Sequence, residues 1–317
     1  MCRTCGCSDE AQPTLTNLQT GEKLPLALDR EQESRDHNHG RLHLPGDSAF
    51  EAAVVRHQAH QHDHQNEHSH AHDHFHAPDG SIVPLPDGNK RIRLEQDLLA
   101  KNRLLAERNR GWLAGRDILA LNLISSPGAG KTTLLERTIR DLAGELPISV
   151  IEGDQATLHD AQRIQATGCK VVQINTGPGC HLEADMTARG LQQLDPPLHS
   201  VVMIENVGNL VCPALFDLGE HAKVVVMSVT DGEDKPAKYP HAFRGSEIMI
   251  LNKIDLLPYV RFSVERCLEF ARHVNPRLRV FQISATCGDG LADWYTWLHE
   301  QRSLTMAGPV ASLIQVQ

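Results

Sequence analysis

The chain has 317 residues, a formal charge of −9 at pH 7, eight cysteines and 19 histidines. No apolar run reaches the roughly 18 residues that cross a bilayer, and the N-terminus has no hydrophobic signal core, so we expect a cytoplasmic protein with reduced thiols and no membrane insertion. The acidic balance argues against a nucleic-acid partner.

Residues 1–90 form a compositionally distinct segment. They contain 14 acidic against seven basic residues, and 12 of the 19 histidines lie between His37 and His76. Because the segment has few apolar residues and no lasting periodicity, it cannot bury enough apolar area to offset the entropy lost on folding. We therefore predict a disordered, metal-binding N-terminal arm over residues 1–90 and a folded domain over residues 91–317.

The arm carries two candidate metal-binding features. Cys2, Cys5 and Cys7 lie within six residues, and Gly6 permits the tight bend that would bring them around one ion. Thiolates with nitrogen suit square-planar Ni(II), with tetrahedral Zn(II) as the alternative metal and a thiol-rich tail of incidental affinity as the alternative interpretation. The histidine-rich stretch, residues 37–76, has no fixed geometry and indicates a weaker reservoir for several divalent ions, or else a solvated linker.

A helix is predicted from Ile92 to Trp112, where apolar residues recur near helical spacing. We expect the apolar face to pack on the domain core, and a helix lying on a membrane surface is the alternative. The apolar positions are Leu94, Leu98, Leu99, Leu105 and Trp112.

The remaining chain alternates β-rich apolar runs with helical windows. Seven runs predict strands, at Ile118–Ile124, Ile148–Glu152, Val171–Asn175, Val201–Glu205, Val224–Val229, Ile248–Asn252 and Val280–Ser284. Five windows predict helices, at Thr132–Ala143, Leu158–Thr167, Leu182–Leu194, Val264–Val274 and Leu291–Gln301. This alternation predicts an α/β domain with a mostly parallel sheet and helices on both sides.

A glycine-rich loop, Ser125–Thr133, follows the first of these strands and opens the first helix. That setting is the one a phosphate-binding P-loop requires, because glycines let the backbone approach phosphate and the helix N-terminus attracts the anion. Lys131 should reach the β- and γ-phosphates, and the Thr132 hydroxyl should bind Mg²⁺. Ser125 stands where the common pattern has its first glycine. The expected nucleotide contacts are Gly128, Ala129, Gly130, Lys131, Thr132 and Thr133.

Two further motifs at strand ends select the base. Asn252, Lys253 and Asp255 match the N-K-x-D pattern of GTP-binding proteins, in which the carboxylate accepts hydrogen bonds from guanine N1–H and the 2-amino group. Adenine lacks that donor pair, so an unpaired Asp255 would disfavour ATP. Ser284 and Ala285 follow the last strand and resemble the loop that contacts guanine O6. Together these positions favour GTP over ATP as the ligand.

Two acidic positions are candidate Mg²⁺ ligands. Glu205 ends a buried strand in a sequence like D-x-x-G with Glu for Asp, and the Gly208 N–H would contact the γ-phosphate. Asp154 ends the second strand and is the other candidate, with loop capping by both carboxylates as the alternative. Asn209 stands where many small GTPases have a water-positioning Gln, and no Arg is marked as a catalytic finger. With Lys131, Asp154 and Glu205 as the catalytic residues, we expect slow GTP hydrolysis.

A third metal-binding candidate lies inside the domain. Cys180 and His181 follow one predicted strand, and Cys212 follows the next. Because α/β sheets bind ligands at the edge where parallel strands end, these side chains are expected at that edge. Buried structural thiols are an equally good interpretation of the spacing alone. Cys212 comes four residues after Gly208, so a metal here would be mechanically linked to the nucleotide.

Together these motifs resemble the HypB family of hydrogenase nickel-incorporation GTPases. The resemblance implies a metallochaperone that binds GTP or GDP with Mg²⁺ and delivers Ni(II) to the precursor of the [NiFe]-hydrogenase large subunit. It covers roughly residues 92–302 and the first seven residues. The segments that carry it are Cys2–Cys7, Ser125–Thr132, Glu152–Gln155, Asn175–His181, Glu205–Pro213, Asp234–Pro240 and Asn252–Asp255.

The resemblance also implies partners. These are a HypA-like zinc-containing accessory protein, a SlyD-like peptidyl-prolyl isomerase and a second copy of the chain, with Cys180, His181 and Cys212 of both subunits forming metal sites at the dimer interface. Lys235 would border the nucleotide by analogy. Two other functions stay open. One is a nickel-delivery GTPase of the UreG type, which serves urease, and the other is a nickel storage protein whose GTPase activity is secondary.

Overall fold

The computed structural model of the chain describes residues 13–26, 74–76, 82–84 and 87–307. The predicted ligands Cys2, Cys5 and Cys7, and most of the histidine-rich stretch, lie outside the described residues. By its contacts the chain divides into two compact units, one formed by Met1–Leu28 with Glu95–Gln317 and the other by Asp29–Leu94.

The described strands and helices follow the predicted alternation. The strands are β1 (Thr14–Asn17), β2 (Lys23–Pro25), β3 (His74–His76), β4 (Ile82–Pro84), β5 (Leu119–Ser125), β6 (Ile148–Asp154), β7 (Lys170–Asn175), β8 (Val201–Gly208), β9 (Ala222–Ser228), β10 (Ile248–Asn252) and β11 (Arg279–Gln282). The helices are α1 (Asp87–Ala114), α2 (Lys131–Asp141), α3 (His159–Gln165), α4 (Ala184–Leu194), α5 (Cys212–Leu215), α6 (Lys235–Lys238), α7 (Pro240–Arg244), α8 (Val264–Val274) and α9 (Leu291–Ala307), with a 3-10 helix over Ile254–Tyr259.

Seven parallel strands form the centre of one sheet, in the order β11-β10-β9-β5-β8-β6-β7. Each overlaps a strand predicted from its apolar run. Every residue of β5, β9 and β10 is buried, because helices cover both faces of the sheet. The predicted α/β class with a mostly parallel sheet is confirmed. In the second unit, β3 and β4 pair antiparallel.

Side chains alternate along the central strands between two core layers. Leu121 and Leu123 of β5 lie in the layer formed with α2 and α9, whereas Ala120 lies in the layer formed with α1 and α4. On β8, Met203 belongs to the first layer and Ile204 to the second. The next two residues of β8 therefore also face opposite sides of the sheet.

Two short strands extend the sheet at one edge. β1 pairs antiparallel with β7, with Thr14 opposite Asn175, and β2 pairs antiparallel with β1. Leu15 is buried in the layer that contains α1 and α4. The prediction of a disordered arm over residues 1–90 is therefore wrong for residues 13–26, and β3, β4 and the first residues of α1 also lie within that range. Four residues that alternate between half-buried and buried, within a polar segment, are too short a pattern to predict a strand. Strand β1 forms because it pairs with the edge of β7.

Helix α1 packs on the core partly through the predicted apolar positions, since Trp112 contacts the core layer and Leu99 and Leu105 are half-buried. Leu98, part of the predicted apolar face, is 48% exposed. The buried positions Asn102, Ala106 and Asn109 recur at helical spacing, and Asn102 Oδ1 accepts a hydrogen bond from Ala184 N at 2.8 Å. The helix is thus anchored by asparagine hydrogen bonds as well as apolar contact. In the described part of the chain, no helix combines the length and apolar character needed to cross a bilayer.

Candidate functional site

The glycine-rich loop connects β5, which ends at Ser125, to α2, which begins at Lys131. Gly128 and Gly130 have φ angles of +76° and +96°, a left-handed conformation that favours glycine. A Cβ atom at Gly130 would also clash with Nδ2 of Asn252. The loop therefore needs glycine for its backbone conformation and for its contact with the predicted base-selecting motif.

The loop borders a cavity of about 490 Å³ that collects most of the predicted nucleotide residues. The predicted residues among its lining are Gly128, Ala129, Gly130, Lys131, Thr132, Thr133, Asp154, Glu205, Gly208 and Lys253. Gln155, Asp160 and Arg163 also line it, and no motif in the sequence predicts a role for them at this site. A polar cavity at a helix N-terminus suits the phosphate groups of a nucleotide.

Lys131 is ordered within this cavity by a side chain of the loop itself. Its Nζ donates a hydrogen bond to Ser125 Oγ at 2.8 Å, and the residue is only 8% exposed. Burial lowers the pKa of Lys131, although the nearby Glu205 carboxylate acts in the opposite direction. Ser125, which replaces the usual first glycine, therefore supplies an acceptor for the lysine.

The Glu205 carboxyl group lies next to the hydroxyl predicted to bind Mg²⁺. Thr132 Oγ1 donates to Glu205 Oε1 at 2.8 Å. Burial raises the pKa of Glu205 to about 7, and its Oε2 atom has no hydrogen-bond partner among the described residues. A buried, unpartnered carboxyl oxygen beside a threonine hydroxyl fits the oxygen ligand set that Mg²⁺ prefers.

A second buried acid, Glu152, lies on β6 opposite Glu205 of β8. Burial raises the pKa of Glu152 to about 9, and Glu205 and Asp154 add to the shift. Its Oε2 atom likewise lacks a hydrogen-bond partner in the described part of the chain. Sequence reasoning chose Asp154 from the same Glu-Gly-Asp motif and gave Glu152 no role, although the motif already contained it.

Asp154 occupies the end of β6 at the rim of the cavity. Its Oδ2 atom accepts hydrogen bonds from the N–H and the hydroxyl of Thr157, both at 2.8 Å. Burial acts to raise the pKa of Asp154, but the hydrogen bonds from Thr157 outweigh it and the pKa is lowered. The carboxylate is therefore both a loop cap and a candidate Mg²⁺ ligand.

Arg163 brings a guanidinium group to the cavity. Its Nη2 atom lies 2.7 Å from Glu136 Oε2 and 3.3 Å from Thr133 Oγ1, and its Nη1 atom lies 3.1 Å from Asp160 Oδ1. These ion pairs hold the guanidinium beside the end of the glycine-rich loop. No motif in the sequence marks this arginine, because its place depends on the packing of α3 against α2.

The base-selecting motif is joined to the glycine-rich loop by the side chain of Asn252. Its Nδ2 atom donates to Ala129 O at 3.0 Å, and its Oδ1 atom accepts from the N–H groups of Lys253 at 2.8 Å and Ala285 at 3.1 Å. Lys253 Nζ donates to Gly128 O at 2.7 Å. One buried amide therefore connects three segments predicted to bind a single nucleotide.

Asp255, Ser284 and Ala285 lie beyond the phosphate cavity and, like Asn252, are not among its lining residues. Asp255 Oδ1 is buried and has no hydrogen-bond partner among the residues that the structure describes. Ser284 is fully buried, and its Oγ accepts from Cys287 N at 3.0 Å. An unpartnered carboxylate oxygen at this position suits the donors on the guanine edge.

The internal cysteines and histidine come together as predicted for a metal site. The ligand atoms of Cys180, His181 and Cys212 all lie within 4.8 Å of one another, and they are the one group of this kind in the described part of the chain. The two Sγ atoms are 2.7 Å apart, and His181 Nδ1 is 3.6 Å from Cys180 Sγ. The His181 ring packs on Phe216 with a centroid separation of 3.9 Å. These contacts favour a metal site over unrelated structural thiols.

The donor set fits a soft or borderline divalent ion. Burial lowers the pKa of His181 to about 4, and its Nε2 atom is buried without a hydrogen-bond partner among the described residues. With metal–sulfur bonds of about 2.3 Å, two thiolates on one tetrahedral ion lie about 3.7 Å apart. The Sγ atoms of Cys180 and Cys212 would therefore separate by about 1 Å around an ion. Thiolate and imidazole ligands suit both Ni(II) and Zn(II).

The remaining thiols in the described residues are isolated. Cys169 is half-buried, Cys267 is fully buried and Cys287 is exposed. Burial, with Glu233 and Asp231 nearby, raises the pKa of Cys267 to about 12. Cys180 and Cys212 thus differ from the other described cysteines because they lie close to each other and to His181.

Comparison with known proteins places these features in one family. Residues 119–282 match the family described as CobW/HypB/UreG, nucleotide-binding domain. The hydrogenase maturation factor HypB of Escherichia coli strain K12 is 53% identical over 227 residues, which cover 72% of this chain and 78% of that protein.

Two crystal structures are similar across the folded domain. HypB from Archaeoglobus fulgidus gives a TM-score of 0.60 at 37% identity, covering 64% of this chain and 99% of that one. HypB from Helicobacter pylori in complex with nickel gives a TM-score of 0.60 at 34% identity, covering 64% of this chain and 95% of that one.

Proposed function

The chain belongs to the CobW/HypB/UreG family and, within it, to the HypB hydrogenase maturation factors, and on that premise we propose that it is a GTP-hydrolysing nickel metallochaperone. Its task would be to deliver Ni(II) to the precursor of the [NiFe]-hydrogenase large subunit. The observation that carries the proposal is the cluster of Cys180, His181 and Cys212 in the same domain as a phosphate cavity. The nickel complex of the Helicobacter pylori relative supports nickel as the cargo.

GTP hydrolysis would depend on charge placed around the γ-phosphate. Lys131 and the N–H groups of Gly128 and Gly130 bind phosphate oxygens, and the Gly208 N–H contacts the γ-phosphate. Water attacks the γ-phosphorus as the bond to the bridging oxygen breaks, and GDP and phosphate leave. Asn209 offers no long amide to orient that water, so turnover is slow and suits a switch.

Three side chains would hold Mg²⁺ in this site. They are Thr132, Glu205 and Asp154, and the first two already share a hydrogen bond of 2.8 Å. When bound, Mg²⁺ neutralises charge on the β- and γ-phosphates. Asp255 would select guanine through its buried, unpartnered oxygen.

Nickel transfer would be gated by the nucleotide. The nucleotide and metal sites share a direct contact, because Gln155 of the cavity donates through Nε2 to Gly179 O, one residue before Cys180, at 3.2 Å. A difference between the GTP and GDP states at this contact would alter the metal site. Linkage then requires Ni(II) to change nucleotide affinity by the same factor.

The wider assembly is part of the same proposal. The chain would act in the cytoplasm as a homodimer with a HypA-like accessory protein and a SlyD-like isomerase. Cys2, Cys5 and Cys7 would hold the tightest Ni(II), with Zn(II) as a competitor, and the histidine-rich stretch would buffer further ions. These segments remain sequence-based predictions.

The direct test is hydrogenase activity in a strain whose only copy of this protein carries Lys131→Ala. GTP-dependent delivery predicts that activity is lost in ordinary medium, while a strain with Lys170→Ala, at an exposed lysine that donates to Asp195 O, keeps it. Wild-type activity of the Lys131→Ala strain with and without added nickel would contradict the proposal.

Two alternatives have their own discriminating outcomes. Recovery of urease accessory proteins, without a hydrogenase precursor, in a pull-down would favour a UreG-type role. A storage role predicts that deletion of residues 37–76 removes most bound nickel and nickel tolerance. Delivery predicts that hydrogenase maturation survives this deletion when nickel is ample.

A further inference from the structure

Four polar side chains are buried together in the sheet layer opposite the nucleotide cavity. Asn122 and Asn206 are 0% and 1% exposed, and Glu220 and Lys223 are 7% and 8% exposed. None of them lines the phosphate cavity or belongs to the cysteine–histidine cluster. We call these four residues the buried polar chain.

One end of the buried polar chain contacts the loop that carries Cys180 and His181. Asn206 Oδ1 accepts a hydrogen bond from the N–H of Leu182 at 3.1 Å, and Leu182 directly follows His181. The same oxygen accepts from Val207 N at 3.0 Å. The amide thereby fixes the backbone where this loop leaves the metal site.

The other end contacts the short helix that begins at Cys212. Lys223 Nζ lies 3.4 Å from Pro213 O, 3.3 Å from Ala214 O and 3.2 Å from Phe216 O. These are carbonyl groups at the end of a four-residue helix, where the backbone has too few partners of its own. The ammonium group therefore fixes the orientation of α5 and, with it, of Cys212.

The middle of the chain joins the two ends. Asn206 Nδ2 donates to Asn122 Oδ1 at 3.2 Å, and Asn122 Nδ2 donates to Glu220 Oε1 at 3.1 Å. Lys223 Nζ lies 3.6 Å from the same Glu220 oxygen. Leu218 N donates to the other Glu220 oxygen at 2.6 Å. The two halves of the metal site are thus joined by one continuous set of hydrogen bonds and the Lys223–Glu220 ion pair.

The composition of this set indicates a positioning role. Removing a carboxylate and an ammonium group from water is costly, and apolar residues of similar volume often fill such a space with no loss of stability. Each buried nitrogen and oxygen atom of the four side chains has a hydrogen-bond partner. A fully satisfied polar network specifies one arrangement, because any other arrangement leaves a buried group unpaired.

We propose that Asn206, Asn122, Glu220 and Lys223 are positioning residues that hold the Cys180–His181 loop and the Cys212 helix in register for one metal ion. This inference rests on the proposed metal site and adds a group of residues that would set its geometry. The four side chains touch no ligand atom of the cluster and act through the backbone of the two segments that carry it.

The test measures Co(II) and Ni(II) binding to the full chain carrying Cys2→Ser, Cys5→Ser and Cys7→Ser. Co(II) reports geometry through its visible bands and thiolate ligation through a sulfur-to-metal charge-transfer band, which histidine ligands do not give. Cys180→Ser and Cys212→Ser in this background should remove that band. If the band persists, the proposed metal site is wrong and this inference fails with it.

The main variant combines Glu220→Gln with Lys223→Met, which removes both buried charges and leaves no uncompensated ion. We expect the Ni(II) affinity of the cysteine–histidine cluster, followed by its sulfur-to-metal charge-transfer band, to fall by about 10–100-fold and the visible bands of Co(II) to shift. Asn122→Ala is the second variant, because it separates the two ends while both keep their contacts to the metal-site backbone. It should weaken Ni(II) binding in the same direction.

Asn275→Ala is the matched control, since Asn275 Nδ2 donates to two carbonyl groups, Phe243 O at 3.1 Å and Ser246 O at 2.9 Å, away from the cluster. It should leave the Co(II) spectrum unchanged, and all three variants should bind GTP with parental affinity. Parental Ni(II) affinity and Co(II) spectra in both test variants would overturn the proposal. So would an equal spectral change in the Asn275→Ala control, which would indicate loss of stability alone.

Discussion

The two faces of β8 carry two sites that are built in different ways. Glu205 points toward α2 and bonds the Thr132 hydroxyl, whereas its neighbour Asn206 points to the other face and bonds the backbone after His181. The phosphate side is centred on one continuous loop, Ser125–Thr133. The metal side is assembled from a loop and a short helix whose cysteines are 32 positions apart.

This difference shows that local sequence determines the shape of one site, whereas tertiary packing brings together the residues of the other. The phosphate loop derives its shape from glycines and from the helix that follows, so a short stretch of sequence largely defines it. The cysteine–histidine cluster has no such local rule, and the two segments that carry it are joined by buried polar contacts from β5, β8 and β9. The two sites should therefore respond differently to substitution.

The largest expected effect comes from removing the phosphate-side lysine. Lys131→Ala should reduce the rate of GTP hydrolysis by about 10²–10³-fold, because the ammonium group stabilises charge that develops on the phosphates. Phosphate release under saturating GTP measures it. Co(II) binding to the cysteine–histidine cluster in the absence of nucleotide should not change, and a loss of cluster binding would break the separation of the two sites.

Cys212→Ser tests whether Cys212 is a ligand of the internal metal site. Loss of one thiolate should weaken Ni(II) binding at the internal site by at least about 100-fold, more than a change outside the ligand set. The sulfur-to-nickel charge-transfer band, followed during competition with a chelator in the background lacking Cys2, Cys5 and Cys7, measures it, because the histidine-rich stretch gives no such band. The control Cys287→Ser alters an exposed thiol outside the cluster and should have parental affinity. Equal weakening in both variants would contradict the assigned ligand.

Asp255→Asn separates base selection from phosphate binding within the nucleotide site. Replacing a carboxylate by an amide removes charge-assisted hydrogen bonds to guanine, so the preference for GTP over ATP should fall by about 10–100-fold. Titration with both nucleotides and Mg²⁺ measures the ratio. An unchanged ratio would show that the base is selected elsewhere, while Lys131 and the loop still hold the phosphates.

The smallest expected effect serves as a baseline for stability. Ser263 caps α8 by accepting a hydrogen bond from Arg266 N at 3.3 Å. Ser263→Ala should lower the free energy of unfolding by about 1 kcal/mol. Thermal unfolding measures it, and neither GTP nor Ni(II) affinity should move. If binding at either site weakens with this change, general stability and not local geometry governs that site.

Much of the fold follows from local patterns in the sequence. The central strands appear as apolar runs because both of their faces are covered, and the phosphate loop appears because its backbone demands glycine. The β1–β2 hairpin does not appear, since its pairing partner β7 lies more than 150 residues away. The most buried positions of α1 are also missed, because two of them are asparagines, Asn102 and Asn109, and an apolar pattern does not include asparagine.

The residues of the two sites likewise fall into those that the sequence predicts and those that only tertiary packing reveals. The sequence predicts the residues whose chemistry is unusual, such as Lys131, Cys180 and Cys212. It gives no role to Glu152 or Arg163, whose positions depend on neighbouring strands and helices. Nor does it identify Lys223, which looks like an ordinary charged residue at the start of a strand until its burial and its three carbonyl partners are known.

The serine at position 125 has a consequence for binding thermodynamics. Its hydroxyl holds Lys131 Nζ within the cavity as part of the folded protein. A free lysine side chain loses about 2 kcal/mol of rotamer entropy when it is fixed. Here that loss accompanies folding and is not repeated when phosphate arrives, so the site is preorganised and the lysine only exchanges one oxygen acceptor for another.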